Sequence, residues 1–221
     1  MGKKISKSKR QKNEQEKLAL KKQMQTQKNI KLAIISVAAL LVLAVVTVLI
    51  ILPYNYVTMT VSYTDDAGQT HTGDIVIKLN PSAAPITVEN FRNLVESGFY
   101  ENLSFHRVIE GFMIQGGAPK DTDTTNYQTI KGEFASNGVN NPILHERGVI
   151  SMARTNVANS ASTQFFIVHE TSPHLDGEYA AFGRVISGMD LVDGIATMST
   201  NSNDKPLKDA IIVSATLSKL P

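Results

Sequence analysis

The stretch SFHRVIEGFMIQGG, residues 104–117, places an arginine within one apolar strand pattern and a glutamine within the next. Successive side chains of a β-strand point to opposite faces, so we expect Phe105, Arg107 and Ile109 to share one face. Met113 and Gln115 should likewise share a face of the following strand. A charged residue on a strand is most often a solvated surface side chain. A guanidinium close to an amide can also bind a peptide through directed hydrogen bonds.

A third strand pattern, TQFFIV, extends the same arrangement. Alternation puts Gln164 and Phe166 on one face and leaves Phe165 on the opposite face, which we assign to the core. If one set of side chains fills the core, the other set lies on the outer surface. The outer set would line one shallow apolar pocket with a single cation: Arg107, Met113, Gln115, Gln164 and Phe166.

Periodicity predicts the elements that position these residues. VTMTVSYT and GDIVIKL alternate apolar and polar side chains around the turn residues DDAG, which is typical of a β-hairpin. Val88, Phe91, Leu94 and Val95 recur at helical spacing, with Gly98 as a stop signal. The stretch SGMDLVDGIAT predicts a second helix.

The other apolar stretches are short and rich in β-branched or aromatic residues: LSFHRVI, GFMIQGG, GVISMAR, TQFFIVH, AAFGRVI and AIIVSATLS. They predict a domain dominated by β-structure, in which seven to eight antiparallel strands close into a barrel without exposed edges. The two helices would cover its open ends. Residues 118–141 are polar and rich in turn residues, and a loop of that length usually lines or covers a site.

Residues 32–52 form a run of 21 positions without charge, proline or glycine. As a helix this run is about 30 Å long, enough to cross the hydrocarbon core of a bilayer. A cleavable signal peptide is one alternative, but its apolar region usually spans only about 7–15 residues. A buried core helix is the other. We favour an uncleaved transmembrane signal-anchor helix at 32–52, followed by a domain at 53–221.

The arm formed by residues 1–31 is strongly basic. It contains eleven Lys or Arg and two Glu, so it carries +9 and the rest of the chain carries −7 of the total of +2. Basic residues beside a membrane segment resist translocation, which predicts a cytoplasmic arm and an extracytoplasmic domain at the cell membrane. The charge favours contact with anionic lipid headgroups. Nucleic acid is disfavoured, because the arm has no aromatic residue for base stacking. The chain has no cysteine that could be lipidated.

Several separated blocks resemble the cyclophilins, a family of peptidyl-prolyl cis/trans isomerases. These blocks are FHRVIEGFMIQGG, SMAR, STQFFI, LDGEYAAFGRV and GMDLVDGI, in that order. The resemblance covers residues 57–218 and implies an eight-stranded antiparallel closed barrel capped by two helices. It also implies binding of proline-containing segments of unfolded or secreted proteins, without a cofactor or a metal.

The resemblance assigns the catalytic arginine to Arg107, and we expect Gln115 to hold its guanidinium in place. The implied substrate-binding residues are Phe112, Met113, Ala153, Arg154, Gln164, Phe166, His174, Leu175 and Tyr179. At 153–154 the family uses main-chain groups. His174 and Tyr179 replace the Trp and His of many eukaryotic members and look bacterial. The Trp is associated with tight cyclosporin binding, so the resemblance implies weaker binding of that inhibitor.

The implied reaction needs no nucleophile, since amide resonance alone sets a barrier of about 18–20 kcal/mol. A guanidinium that donates to the proline nitrogen would stabilise the twisted amide over both planar forms. We therefore predict an isomerase that accelerates folding of secreted or surface proteins. A proline-peptide binding module or holdase without turnover is the alternative, and a membrane-surface scaffold is a third. The chain has no G-x-S-x-G motif, which disfavours a serine hydrolase, and His106 is interpreted as structural.

Overall fold

The computed structural model describes residues 2–51, 54–120 and 127–219. The chain divides into two compact units, 1–52 and 53–221. The described residues of the first unit form one helix, α1, at Gly2–Ile51. Within the described side chains of α1, at 14 and 16–43, every residue is exposed. One candidate membrane span, Glu16–Leu43, is found among the described residues, and a signal sequence would pass the same test.

The second unit is rich in strands, and all of its described strand pairs are antiparallel. Within the described residues of this unit, short 3-10 turns lie at Ala135–Asn137 and Pro173–Leu175. The helices and strands, in chain order, are β1 Tyr56–Thr64, β2 Thr70–Leu79, α2 Pro85–Glu96, β3 Leu103–Ser104, β4 Arg107–Ile109, β5 Met113–Gly116, β6 Val149–Met152, β7 Phe165–Val168, β8 Ala181–Ser187, α3 Met189–Ala196 and β9 Ala210–Ser218.

The described strands form one nine-stranded sheet in the order β3-β9-β1-β2-β8-β6-β7-β5-β4. A flat sheet of that size would separate its two end strands by about 38 Å, at about 4.8 Å per strand. Yet the end strands β3 and β4 are joined only by Phe105 and His106. From Ser104 to Arg107 an extended chain reaches at most about 11 Å. The sheet must therefore curl until its two ends lie side by side.

The prediction of an eight-stranded antiparallel barrel is confirmed only as a curled antiparallel sheet, which has nine described strands, and its closure stays a prediction. The stretch LSFHRVI, predicted as one strand, is divided into β3 and β4, and no ladder joins these two strands within the described residues. The break also shifts the strand faces. Phe105 and Val108 both enter the core, whereas Arg107 is exposed. The expectation that Phe105 and Arg107 share a face was wrong, because alternation holds only within a continuous strand.

The two faces of the sheet bury separate apolar clusters. The inner core contains Ile114, Ile150, Phe165 and Ile167 together with most of the buried residues of β1, β2 and β9. The outer cluster is smaller and consists of Met113, Val149, Phe166, Val168, Leu175 and Ala181. Phe165 and Phe166 are neighbours in the chain and lie in different clusters, as alternation predicts. Every residue of β6 and β7 is buried because both faces of these strands are covered, and all but Ser151 are apolar.

Helix α2 packs one side against the inner core through Val88, Phe91 and Val95. This side confirms the predicted amphipathic helix. Its end is also as predicted, because Gly98 follows with a φ of 71°, a left-handed conformation that glycine adopts without strain.

The N-terminus of α2 is capped by a residue that is remote in sequence. Glu133 is 3% exposed and accepts hydrogen bonds from the main-chain N–H groups of Ile86 (3.1 Å) and Thr87 (2.8 Å). It also accepts from the Thr87 hydroxyl at 2.7 Å. A carboxylate is favourable here because the first N–H groups of a helix lack internal partners and carry partial positive charge. Glu133 thus attaches the 118–141 segment to α2.

We expect Glu133→Gln to lower the free energy of unfolding of the second unit by about 2 kcal/mol, because it removes the charge from these hydrogen bonds. Urea unfolding of the full chain in detergent, followed by tyrosine fluorescence, measures the change. Glu89→Gln, on the exposed side of α2, is the matched control, and its free energy of unfolding should stay close to that of wild type. Equal stability of the two variants would contradict the capping role.

Candidate active site

A pocket of about 310 Å³ lies on the outer face of the sheet. Its lining comes from β4, β5, β7 and the segments that follow β6 and precede β8. Nine of the eleven residues predicted from the sequence line it: Arg107, Phe112, Met113, Gln115, Ala153, Arg154, Phe166, Leu175 and Tyr179. The remaining two, Gln164 and His174, each contact a lining residue. The structure therefore brings the predicted set together at one place.

The apolar part of the pocket is the exposed edge of the outer cluster. Met113 and Phe166 are 2% and 4% exposed, and Leu175 joins them from the 3-10 turn Pro173–Leu175. Phe112 is partly buried against the same cluster. The ring centre of His174 lies 5.4 Å from that of Phe112, and His174 is not itself a lining residue. This surface suits a small apolar ring.

Arg107 is held by an aspartate that sequence reasoning missed. Its Nε donates to Oδ2 of Asp204 at 3.1 Å, and the two side chains are 44% and 41% exposed. Within the described residues, the terminal nitrogens of Arg107 make no hydrogen bond. Arg107 is paired in register with Gln115 across β4 and β5. The guanidinium is thus attached through one nitrogen, and its outer two are available to a ligand.

Gln115 has a different partner from the one expected. Its Nε2 donates to Oε1 of Gln164 at 2.9 Å, and within the described residues no hydrogen bond joins Gln115 to Arg107, so the expectation that Gln115 holds the guanidinium is not confirmed. The main-chain carbonyl of Gln164 accepts a second hydrogen bond, from the main-chain N–H of Ala153 at 2.9 Å. These two hydrogen bonds join the end of β5 to the segments before β7 and after β6. They fix the polar side of the pocket.

The pocket contains a second guanidinium, that of Arg154, although the sequence predicted only one cation. Arg154 Nε donates to the carbonyl of Glu178 at 3.0 Å, and Nη1 donates to that of Thr155 at 2.9 Å. Its carbon Cζ lies 5.0 Å and 4.6 Å from the ring centres of Phe134 and Tyr179. Such stacking is favourable for a planar cation. Arg154 therefore forms part of the pocket wall through its side chain.

The 118–141 segment contributes Phe134, which contacts Arg154 but is not itself a lining residue of the pocket. It is 2% exposed and belongs to the inner core cluster. The prediction that this segment lines a site falls partly on 121–126, which lie outside the described residues.

Ser151, His145 and Asp176 form a line of hydrogen bonds beneath the pocket. His145 Nδ1 lies 3.0 Å from Oδ1 of Asp176, and Nε2 lies 3.1 Å from Oγ of Ser151. The order resembles that of a hydrolytic triad. However, Ser151 and His145 are 0% and 1% exposed, so no substrate can reach the hydroxyl. The line instead ties the turn that carries Leu175 to strand β6.

Burial lowers the pKa of His145, because the charged imidazolium loses its hydration, although Asp176 opposes the shift. Burial also lowers the pKa of His106. The Nδ1 atom of His106 is buried and has no hydrogen-bond partner within the described residues. Both imidazoles are therefore stabilised in their neutral form.

Comparison with known proteins identifies the family. The family model described as cyclophilin type peptidyl-prolyl cis-trans isomerase matches residues 63–217. Peptidyl-prolyl cis-trans isomerase B of Bacillus subtilis is 46% identical over 123 residues, which cover 55% of this chain and 82% of that protein. The isomerase B of Escherichia coli is 43% identical over 164 residues, which cover 68% and 97%. The match to isomerase CYP71 of Arabidopsis thaliana, 43% identical, spans only 23% of that longer protein.

A solved structure has the same fold. It is a cyclophilin type peptidyl-prolyl cis-trans isomerase of Cryptosporidium parvum, crystallised in the presence of the dipeptide Ala-Pro. It is 29% identical, with a TM-score of 0.59, and the match covers 72% of this chain and 98% of that one. The chain therefore belongs to the family of cyclophilin-type peptidyl-prolyl cis-trans isomerases. The prediction of an isomerase is confirmed at that level.

The two neutral histidines predict a pH dependence of stability. Their folded pKa values lie below the unfolded value of 6.5, so the unfolded state takes up protons first as the pH falls. Their contribution is complete above pH 6.5 and is lost below it, by at most about 1.4 kcal/mol per pH unit for each histidine. Urea unfolding of the full chain at pH 7.5 and pH 5.5 should show this loss.

The variants His106→Asn and His145→Asn should each lose part of this pH dependence, whatever their stability at pH 7.5. A difference between the two pH values that is the same in wild type and both variants would contradict the assignment.

Proposed function

We propose that this chain is a membrane-anchored peptidyl-prolyl isomerase that accelerates the folding of secreted or surface proteins at the pocket around Arg107. The observation that carries the proposal is the pocket itself. It combines an apolar surface with a guanidinium whose terminal nitrogens are unoccupied by other described residues. The volume, about 310 Å³, suits a ligand as small as a proline ring with its flanking peptide groups.

The proposed binding mode follows from the lining. The proline ring would contact Phe112, Met113, Phe166 and Leu175, since these are its apolar surfaces. Main-chain groups at 153–154, with Gln115 and Gln164, would orient the flanking peptide. His174 and Tyr179 would border the pocket and contact neighbouring residues of the client. The Ala-Pro dipeptide present with the Cryptosporidium relative supports a site for proline-containing peptides.

Arg107 would accelerate rotation by donating a hydrogen bond to the proline nitrogen, or to the preceding carbonyl, in the twisted amide. In the planar ground states the nitrogen lone pair is delocalised, so the interaction favours the transition state. One charge-assisted hydrogen bond contributes about 1.5–3 kcal/mol, which corresponds to roughly one or two decades in rate. Fixed geometry of the proline ring and its flanking peptide would supply the rest.

The apolar run at 32–52 supports the membrane anchor. The part of the run whose side chains are described, 32–43, is exposed throughout and belongs to the candidate span Glu16–Leu43. The side chains of 44–51 and all of residue 52 lie outside the described set. The basic arm at 1–31 would stay in the cytoplasm beside anionic lipid headgroups, and the isomerase domain would lie on the other side. Clients would then be met as they emerge unfolded from translocation.

We expect Arg107→Ala to lower kcat/KM for an Xaa-Pro peptide by about one to two decades, because the guanidinium stabilises only the twisted amide. The full chain in detergent serves for the assay. Arg184→Ala is the matched control, since Arg184 is half exposed on β8 and pairs with Glu146 away from the pocket. Equal rates for wild type and Arg107→Ala would remove the catalytic role. Peptide binding without turnover in wild type would favour the holdase.

The proposed topology can be tested with protease added to intact cells that express the chain. The isomerase domain should be digested or released, while a cytoplasmic marker stays intact. Protection of the domain while a known surface protein is cut would reverse the orientation. Mass spectrometry of the purified chain should give the uncleaved mass of 24.1 kDa. A mass lacking the residues up to the apolar run would show that the segment is a signal peptide.

A further inference from the structure

We infer that Asp204 is a positioning residue for the isomerase reaction and holds the guanidinium of Arg107 in the orientation that catalysis needs. The inference rests on the proposed function of Arg107. Asp204 lies in the connection between α3 and β9, outside the residues that line the pocket.

The contact selects one end of the guanidinium. Oδ2 of Asp204 accepts from Nε of Arg107 at 3.1 Å. Nε is the donor nearest the aliphatic stem, and the two terminal nitrogens of the planar group point away from it. A carboxylate on Nε therefore restricts rotation of the fork without occupying the donors that a peptide would use. The in-register neighbour Gln115 donates its amide to Gln164 and makes no hydrogen bond to Arg107 within the described residues.

The connection holds Asp204 firmly enough for this role. The side-chain oxygen of Asn201 accepts from the main-chain N–H groups of Asn203 (2.9 Å) and Lys205 (3.1 Å). The N–H of Asp204 donates to the carbonyl of Asn201 at 3.0 Å. The carbonyl of Asp204 accepts from the N–H of Val108 at 2.7 Å, one residue after Arg107. Main chain and side chain of Asp204 are thus both attached to β4.

The backbone conformation does not account for an aspartate at this position. Asp204 has a φ of 60°, in the left-handed region where glycine and asparagine are at least as favourable. A turn alone would be satisfied by either of them. Within the described residues, the carboxylate bonds only to Arg107. The carboxylate therefore serves the contact with Arg107 and is not needed for the turn.

This distinction makes Asp204→Gly an informative variant, because it keeps the turn and removes the carboxylate. An exposed ion pair contributes little to stability, so the unfolding midpoint in urea should stay equal or rise. We expect kcat/KM for an Xaa-Pro peptide to fall by about two- to fivefold, the size of an exposed ion pair. Asp204→Asn retains an acceptor oxygen, so its kcat/KM should fall less than that of Asp204→Gly. Asp209→Asn, an exposed aspartate of the same connection, is the matched control.

A double-mutant cycle separates positioning from general structural damage. In the Arg107→Ala background, Asp204→Gly should have no further effect on kcat/KM. In wild type the Nε–H resonance of Arg107 should be observable by NMR as a slowly exchanging proton, and Asp204→Gly should abolish it. If Asp204→Gly proves less stable than wild type, the positioning role is tested by two other measurements. These are kcat/KM of Asp204→Asn compared with that of Asp209→Asn, and the Nε–H resonance of Arg107.

The outcomes distinguish this inference from the proposed function. Wild-type activity in Asp204→Gly, with reduced activity in Arg107→Ala, overturns the role of Asp204 alone. An equal loss from Asp204→Gly in both backgrounds also overturns it, since the effect would not pass through Arg107. Wild-type activity in Arg107→Ala overturns the proposed function and this inference with it.

Discussion

The two-residue link between β3 and β4 is the constraint on which the rest of the second unit depends. These strands stand at opposite ends of the sheet order, yet Phe105 and His106 alone join them. The sheet can satisfy this link only by curling, because the reach of three residues is far shorter than the width of nine flat strands. Curling encloses the inner core, and the pocket forms on the opposite face of β4, β5 and β7, where the segments after β6 and before β8 supply its walls.

The site is built on the second apolar surface that this arrangement leaves. Inner and outer clusters share β5, β6 and β7, and adjacent residues such as Phe165 and Phe166 serve different clusters. The pocket floor is consequently backed by the inner core, and close packing of this kind permits little movement. A rigid apolar floor and one anchored guanidinium suit a reaction that needs a peptide held in place and twisted rather than attacked.

Polar groups around the pocket are satisfied by residues from distant parts of the chain. Asp204 holds Arg107, Gln164 holds Gln115, and Asp176 holds His145. Each buried polar group among them would be costly without its partner. His145 and Ser151 form a hydrogen-bonded line that resembles a catalytic one but is buried from substrate. Its role is to stabilise the turn carrying Leu175. Burial, rather than residue type, separates the two kinds of polar cluster.

The sequence by itself determined the helices α2 and α3, the outer face of β5 and β7, and the residue types of the pocket. These features follow from local periodicity and from motifs whose members are close in the chain. Only the tertiary structure decided the break at Phe105 and His106, the capping of α2 by Glu133 and the pairing of Arg107 with Asp204. The physical reason is that such partners are brought together by the curl of the sheet, which depends on the order of all nine strands rather than on any one of them.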